Sequence, residues 1–360
     1  MGRLIYGTAW KKEQTGELVY CALKEGFRAV STGAQPENYE EALVASGIRR
    51  AIDAGEVSRQ DVSVRSPLSS VSSCLPSMGS CLKHTSQWMN SDNSPQIQTT
   101  FTPSGVQASK KVVKANSRED ARPGWRCPVT RRAIPGDCPY DPTTSLTEQV
   151  HSSVASSLRN FTFAPSSEAA YLDAVILHHP YRAREHTETV WTALSTYVPH
   201  SIRHLGISNV DGEELQHLLD FCRENPTTTV RPSIVQNRFL HGHNFDDAVR
   251  AICKQDHIEY QAFGVLKESR FLLQDQETVG AVAELAFVSR EAALYALVMA
   301  LQDDMAVLDG TSDVQTMWAD IDGVRRVGWS AESLEWKTAL QKFKEGIHGC
   351  QTAGETMLKL

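Results

Sequence analysis

The chain predicts an α/β fold, a (β/α)8 barrel, and three observations carry that reading. Strand-like and helix-like segments alternate over most of the 360 residues. The strand segments number eight when "DVSV" (61–64) and "QIQTTF" (96–101) are counted as one. Most of them end in polar or small residues, the kind that line the ligand-facing rim of a parallel barrel. Repeated β–α units imply parallel strands joined by crossover helices. A doubly wound open sheet is the main rival. It draws no support from "YGTAW", which holds one glycine and opens no GxGxxG fingerprint.

The elements follow in order. "RLIYGTA" (3–9) reads as the first strand and residues 15–25 as a helix. "FRAVST" (27–32) is the second strand. "NYEEALVASGIRRAIDAG" (38–55) carries apolar residues at helical spacing and a closing glycine. "SLTEQVHSSVASSLRNF" (145–161) opens on Ser145 with Glu148 three residues on, the layout of a capping box. "YLDAVILHH" (171–179) is a buried strand, 186–198 a helix, "IRHLGISN" (202–209) a strand and 211–225 a helix. "PSIVQNRF" (232–239), "FDDAVRAICKQD" (245–256) and "IEYQAFGVL" (258–266) continue the alternation. A helical region with an internal break covers 278–302, "MAVLDGT" (305–311) is the last strand, and 330–347 is a terminal helix.

Residues 1–360 read as a single barrel domain carrying two foreign segments. Residues 65–95 are serine-rich with scattered prolines, a low-complexity insertion. Residues 108–134 are basic and weakly patterned. A buried parallel strand pairs on both sides, so its middle does not accommodate a long loop cheaply. Three readings stand: sequence translated from a retained intron, true disordered insertions, or, for the second segment, a lid or basic docking loop over a barrel mouth.

Composition narrows the partners. A net charge of -7 argues against a general nucleic-acid surface. No apolar run approaches a membrane span. The opening "MGRLIYGTAW" lacks a secretory layout and has Tyr6 where a myristoylation signal wants Ser or Thr. The eight cysteines are scattered without a CxxC, so no disulfide is expected and a reduced cytoplasmic setting is. The twelve histidines include no HExxH. Nothing places His178, His179 and His186 on one helix face, so no metal site is expected. The charge pattern leaves the oligomeric state undecided.

The informative residues sit at the strand ends: Ser31–Thr32, Thr99–Thr100, His178–His179, Ser208–Asn209, Gln236–Asn237, Phe263–Gly264 and Gly310–Thr311. Any one pair is as readily an ordinary turn or cap. Seven in register with the β–α repeat favour a ligand site.

At these residues the chain resembles a fungal member of the aldo-keto reductase family. The matching pieces include "IYGTAW", "GFRAVSTGAQPENYEEALV", "QTTFTP", "YLDAVILHHP", "IRHLGISNV", "IVQNRF", "YQAFGVL" and "VLDGT", from Ile5 to Thr311. The resemblance implies a barrel that binds a nicotinamide cofactor without a Rossmann motif and reduces a small-molecule carbonyl. In that family an Asp–Tyr–Lys–His tetrad does the chemistry. Tyr39 falls on the tyrosine position and His178 on the histidine position. Ser31 stands at the aspartate position and Thr100 at the lysine position. Ser208, Asn209 and Gln236 fall where the family holds the nicotinamide carboxamide. Phe263 falls where an aromatic ring stacks on the nicotinamide; without the resemblance it reads equally well as a core ring. Gly310, Thr311 and, near the arginine position, Thr316 stand where many members carry a Lys–Ser pair and a downstream arginine for the NADP phosphate. NADP(H) is therefore favoured by resemblance, with NAD(H) open.

Reduction of a carbonyl needs a hydride at carbon and a proton for the developing alkoxide. A neutral tyrosine can donate that proton, and a lysine beside it would favour the phenolate. Losing the lysine and the aspartate together removes an ion pair without orphaning either charge. Ser31 and Thr100 are expected to hydrogen-bond each other or a water. Two readings follow: an NAD(P)H-dependent carbonyl reductase, in a setting such as fungal secondary metabolism, or a weak or inactive barrel that retains nucleotide or partner binding.

Overall fold

The computed structural model describes residues 2–34, 38–58, 96–101, 139–141, 143–163 and 170–357. "DVSV" and the segments 65–95 and 108–134 lie outside the described residues. Eight parallel strands form a closed barrel in chain order. They are β1 Leu4–Gly7, β2 Ala29–Ser31, β3 Gln96–Phe101, β4 Leu172–Leu177, β5 Ile202–Ser208, β6 Ile234–Arg238, β7 Glu259–Phe263 and β8 Met305–Asp309. Closure runs through Leu4↔Val307, Ile5↔Leu308 and Tyr6↔Asp309, which excludes the open sheet.

Helices α1 Thr15–Lys24, α2 Glu41–Asp53, α3 Leu146–Asn160, α4 Arg184–Ser195, α5 Gly212–Glu224 and α6 Asp247–Gln255 follow the first six strands in turn. The capping box opens α3: the Glu148 N–H donates to Ser145 Oγ at 3.3 Å and the Ser145 N–H to Glu148 Oε2 at 2.9 Å. Asp211 and Glu214 repeat the device at α5. The expected break in 278–302 falls at Phe287, whose φ of 53° is left-handed and ends the short helix Ala281–Ala286. Ser289 then caps α7, Arg290–Met299.

Two helices follow β8, and only the second was expected. It is α9, Leu334–Met357. The first, α8 Val314–Trp329, opens on the Asp313 carboxylate, which accepts the Thr316 N–H at 2.7 Å. Its sequence hides it, because Gly323 and Gly328 lower the helical propensity of its second half. Gly323 is spent on packing: a Cβ there would stand 2.6 Å from Ala292 Cβ on α7.

The alternation of strand side chains splits the core into two shells. Val30, Val175, Leu205, Val235 and Val307 point outward into the large apolar layer under the helices. Inside the barrel stand two small apolar clusters, Ile5–Ala29–Ala306 and Ala174–Ile176–Ile234. The rest of the barrel interior includes three glutamines, Gln98, Gln236 and Gln261, joined to one another. Among the described residues no helix is long and apolar enough to cross a membrane.

Candidate active site

All eight strand ends open on one rim, and backbone bonds run around it from β1 to β4 and from β5 to β7. The Thr8 N–H donates to Ser31 O at 3.0 Å, and Ala34 N–H to Thr100 O at 3.1 Å. His178 N–H donates to Phe101 O at 2.8 Å and Asn209 N–H to Gln236 O at 3.2 Å. Phe239 N–H reaches Phe263 O at 3.0 Å. Side chains join β4 to β5, where Asn209 Nδ2 donates to His178 O, and β8 to β1, where the Tyr6 hydroxyl donates to Thr311 O at 3.0 Å. The predicted residues therefore share one mouth.

Tyr39 sits just before α2, half-buried. Its ring rests on Gly33, where a Cβ would approach Cδ2 to 2.9 Å and Cε2 to 3.0 Å. Burial alone pushes its phenol up to about 12, so the neutral form dominates at any working pH. His178 directly follows β4, two strands away. Burial, and after it the neighbouring His179, hold its imidazole down at about 3, so it is neutral too.

Ser31 and Thr100 are both buried. The expected bond between their side chains is not made. The Thr100 hydroxyl donates instead to the Thr32 carbonyl at 3.1 Å. The strand register pairs Ser31 with Gln98, two residues before Thr100, and a short β-branched hydroxyl takes a nearby backbone acceptor.

The amide cluster is assembled by β5 and β6. Ser208 Oγ donates to Gln236 O at 2.5 Å and accepts from Asn209 Nδ2 at 3.1 Å. Asn209 Nδ2 also donates to His178 O at 2.8 Å, which ties the histidine strand end to the amide cluster. Asn209 holds this position with a left-handed φ of 53°, which asparagine tolerates better than most residues. Gln236 turns its Nε2 inward to Gln261 Oε1 at 3.0 Å. Among the described residues, Asn209 Oδ1 and Gln236 Oε1 accept no hydrogen bond. Those two carbonyl oxygens suit the N–H groups of a carboxamide.

Phe263 is placed at the rim on β7, where the Arg238 guanidinium lies 5.6 Å from its ring centroid. That contact covers part of the ring, and Arg238 is in turn held by Glu268 at 2.8 Å. Gly310 and Thr311 lie across the mouth, after β8. A Cβ on Gly310 would meet no atom within 4 Å, so the backbone there is open to approach.

Two residues escaped the sequence reading. Lys11 reaches from the loop after β1 to the loop after β8. Its Nζ donates to Gly310 O, to Thr311 O at 3.1 Å and to Ser312 Oγ at 2.7 Å. Burial lowers its pKa, while the carboxylate of Asp309 opposes that shift. Trp10, beside it, is 64% exposed on the rim, and its N–H is held by Asn38 O at 2.8 Å, next to Tyr39. "TAWKK" offered an aromatic and two lysines at a strand end, which was the available signal. Only closure of β8 onto β1 gives those residues their neighbours.

No protein-family model and no curated protein matches the sequence. Solved structures do resemble the fold. The aldo-keto reductase MGS-M4, from a Medee basin deep-sea metagenome library, superposes with a TM-score of 0.57 at 13% identity, covering 95% of this chain and 91% of that one. An aldo/keto reductase from Brucella melitensis gives 0.58 at 14%, covering 94% and 92%. A variant of Gox0644 in complex with NADPH gives 0.56 at 16%, covering 94% and 88%. At these identities the likeness shows one thing, that the chain has the barrel fold these proteins share.

Proposed function

We propose that this chain is an NAD(P)H-dependent carbonyl reductase of the aldo-keto reductase type, with Tyr39 as the proton donor. The observation that carries the reading is the neutral phenol seated on Gly33, on the same rim as two amide oxygens, Asn209 Oδ1 and Gln236 Oε1, that accept no hydrogen bond among the described residues. The residues present fit a nicotinamide carboxamide, since Asn209 and Gln236 each offer a carbonyl oxygen to it. Phe263, the open backbone at Gly310 and Thr311 would border the same cofactor. When bound, the cofactor supplies the hydride.

The chain's own residues supply the rest. Tyr39 Oη gives its proton to the oxygen of the substrate as negative charge develops there. His178, neutral, orients that oxygen by a second hydrogen bond. Ser31 and Thr100 bring no charge, so neither pulls Tyr39 toward phenolate. The site is thereby suited to reduction and poorly suited to oxidation, which needs tyrosine as a base. Trp10 offers a broad exposed ring at the mouth and supports a flat or bulky aromatic carbonyl as substrate. The resemblance to fungal reductases supports a tailoring step in secondary metabolism and favours NADP(H), the cofactor seen with one structural neighbour.

The test is consumption of NADPH or NADH against a panel of aromatic aldehydes. Tyr39→Phe should lower kcat about 100-fold or more, with cofactor affinity unchanged. Turnover with neither cofactor by folded protein rejects the proposal. Tight cofactor binding without hydride transfer favours the second reading, an inactive nucleotide-binding barrel, which the loss of charge at Ser31 and Thr100 motivates. In that case Ser31→Asp with Thr100→Lys should restore turnover. Thr100→Lys alone would bury an unpaired ammonium and cost about 3 kcal/mol or more of stability.

A further inference from the structure

The inside of the barrel carries a polar connection that the proposed reaction does not use. It starts at the foot. Arg3 Nη2 lies 3.0 Å from both carboxylate oxygens of Glu259, at the beginning of β7. Gln261, two residues along the same strand, is wholly buried. Its Nε2 donates to Glu259 Oε1 at 2.7 Å and to Gln98 Oε1 at 3.0 Å. Its Oε1 accepts from Gln98 Nε2 and from Gln236 Nε2, each at 3.0 Å. Strands β3 and β7 face each other across the closed barrel, so the Gln98–Gln261 pair crosses its axis. Both donors of Gln261 are used, and its oxygen takes two bonds.

We infer that the Arg3–Glu259 pair, acting through Gln261, sets which end of the Gln236 amide faces the mouth, and so makes the site select a carboxamide over a carboxylate. The inference rests on the cofactor-binding reading above. An amide group is nearly symmetric in shape, and only its partners decide its sense. A carboxylate accepts and never donates, and the Arg3 guanidinium reaches both oxygens of Glu259 at 3.0 Å. Gln261 must therefore turn its NH2 toward Glu259. Its oxygen then points to Gln236, which must answer with its own NH2. Gln236 Oε1 is left as the atom offered to a ligand. A ligand group with N–H donors is matched there. A carboxylate in its place would set oxygen against oxygen in a buried setting. Gln261 and Glu259 are positioning residues, since neither reaches the mouth.

The experiment compares two dinucleotides differing in this one group, NADP+ and nicotinic acid adenine dinucleotide phosphate. Dissociation constants are measured for the full chain and for Glu259→Gln, a substitution that keeps the shape and removes the obligatory acceptor. The unaltered chain should prefer the amide about 100-fold or more. In Glu259→Gln the preference should shrink at least tenfold, because both senses of Gln261 become possible. Mere loosening of the barrel would weaken both ligands together and leave the ratio unchanged, and an unchanged ratio in folded protein overturns the inference. If Glu259→Gln does not fold, Gln261→Leu cuts the connection in the middle and carries the same expectation. If the unaltered chain binds neither dinucleotide, the cofactor reading fails. The polarity of the network is then read without ligand, from the side-chain NH2 resonances of Gln236. They should shift and exchange faster in Glu259→Gln, and resonances that stay fixed would overturn the relay.

Discussion

The ring of Tyr39 lies against Gly33 with no room for a methyl group between them: a Cβ at residue 33 would stand 2.9 Å from Cδ2. The backbone at Gly33 has no positive φ, so the glycine is there for space and not for conformation. Gly33→Ala should therefore fold, and should push the phenol off its seat. Displacing a reacting group by about 1 Å can cost about 100-fold in rate. We expect kcat for carbonyl reduction to fall 10- to 100-fold, with the dissociation constant for the cofactor and the melting temperature nearly unchanged. Steady-state kinetics beside a thermal melt check this.

The two neutral groups at the mouth predict a distinctive pH profile. With the Tyr39 phenol held up at about 12, its proton is present throughout pH 5 to 9, and kcat for reduction should be flat there. Alcohol oxidation needs the phenolate and should climb about tenfold per pH unit over the same range. Stability should respond on the acid side. His178 and His179 are held near 3 and 4, below the unfolded value of about 6.5. Between those limits the unfolded chain binds more protons than the folded one, so stability falls as pH drops from about 6.5 toward 4. Denaturant midpoints at pH 7 and pH 5 should differ more in the unaltered chain than in His179→Asn.

Lys11 latches the first loop onto the last. Lys11→Met removes the donor to Thr311 O and Ser312 Oγ while keeping the length of the side chain. These bonds are partly exposed, so the stability cost should be about 1 kcal/mol. The larger effect should be on binding, because Gly310 and Thr311 lose their anchor. We expect dinucleotide affinity to fall about 5- to 10-fold in equilibrium titration, with kcat at saturation unchanged.

Glu41 joins three elements from inside. Thr99 Oγ1 donates to it at 2.5 Å, Ser157 Oγ at 3.0 Å and Asn160 Nδ2 at 2.9 Å. Burial raises its pKa in spite of these bonds, so its acid form is favoured relative to an exposed carboxyl. Glu41→Gln resembles that form and should cost less than about 1 kcal/mol. Glu41→Ala strands two buried hydroxyls and a half-buried amide and should cost about 3 kcal/mol. Urea denaturation of the two variants separates these outcomes.

The alternation of eight apolar segments with amphipathic ones determined repeated β–α units, because a strand buried on both faces and a helix buried on one leave different periods in the chain; the pairing of β1 with β8 decided for the closed barrel over the open sheet. Capping residues were equally legible: Ser145–Glu148 acts within one turn of backbone, so its effect needs no distant partner. His178 and the amide residues could be placed at strand ends, and Tyr39 at the start of a helix, for the same reason, since the end of an element is a local property. Helix α8 was obscured because Gly323 answers to a neighbour 31 residues earlier, Ala292, rather than to its own helix. Glu41 stands in the first turn of α2, where an acid is locally unremarkable, and only the approach of β3 and α3 buried it. Thr100 chose the Thr32 carbonyl over Ser31 once strand register had set the distances. Lys11 acquired its acceptors, and Gln261 the partners that orient Gln236, only when the barrel closed. Local rules act on neighbours in the chain and are written there. The sense of an amide or the partner of a lysine depends on groups up to 300 residues away, and three-dimensional closure alone brings those together.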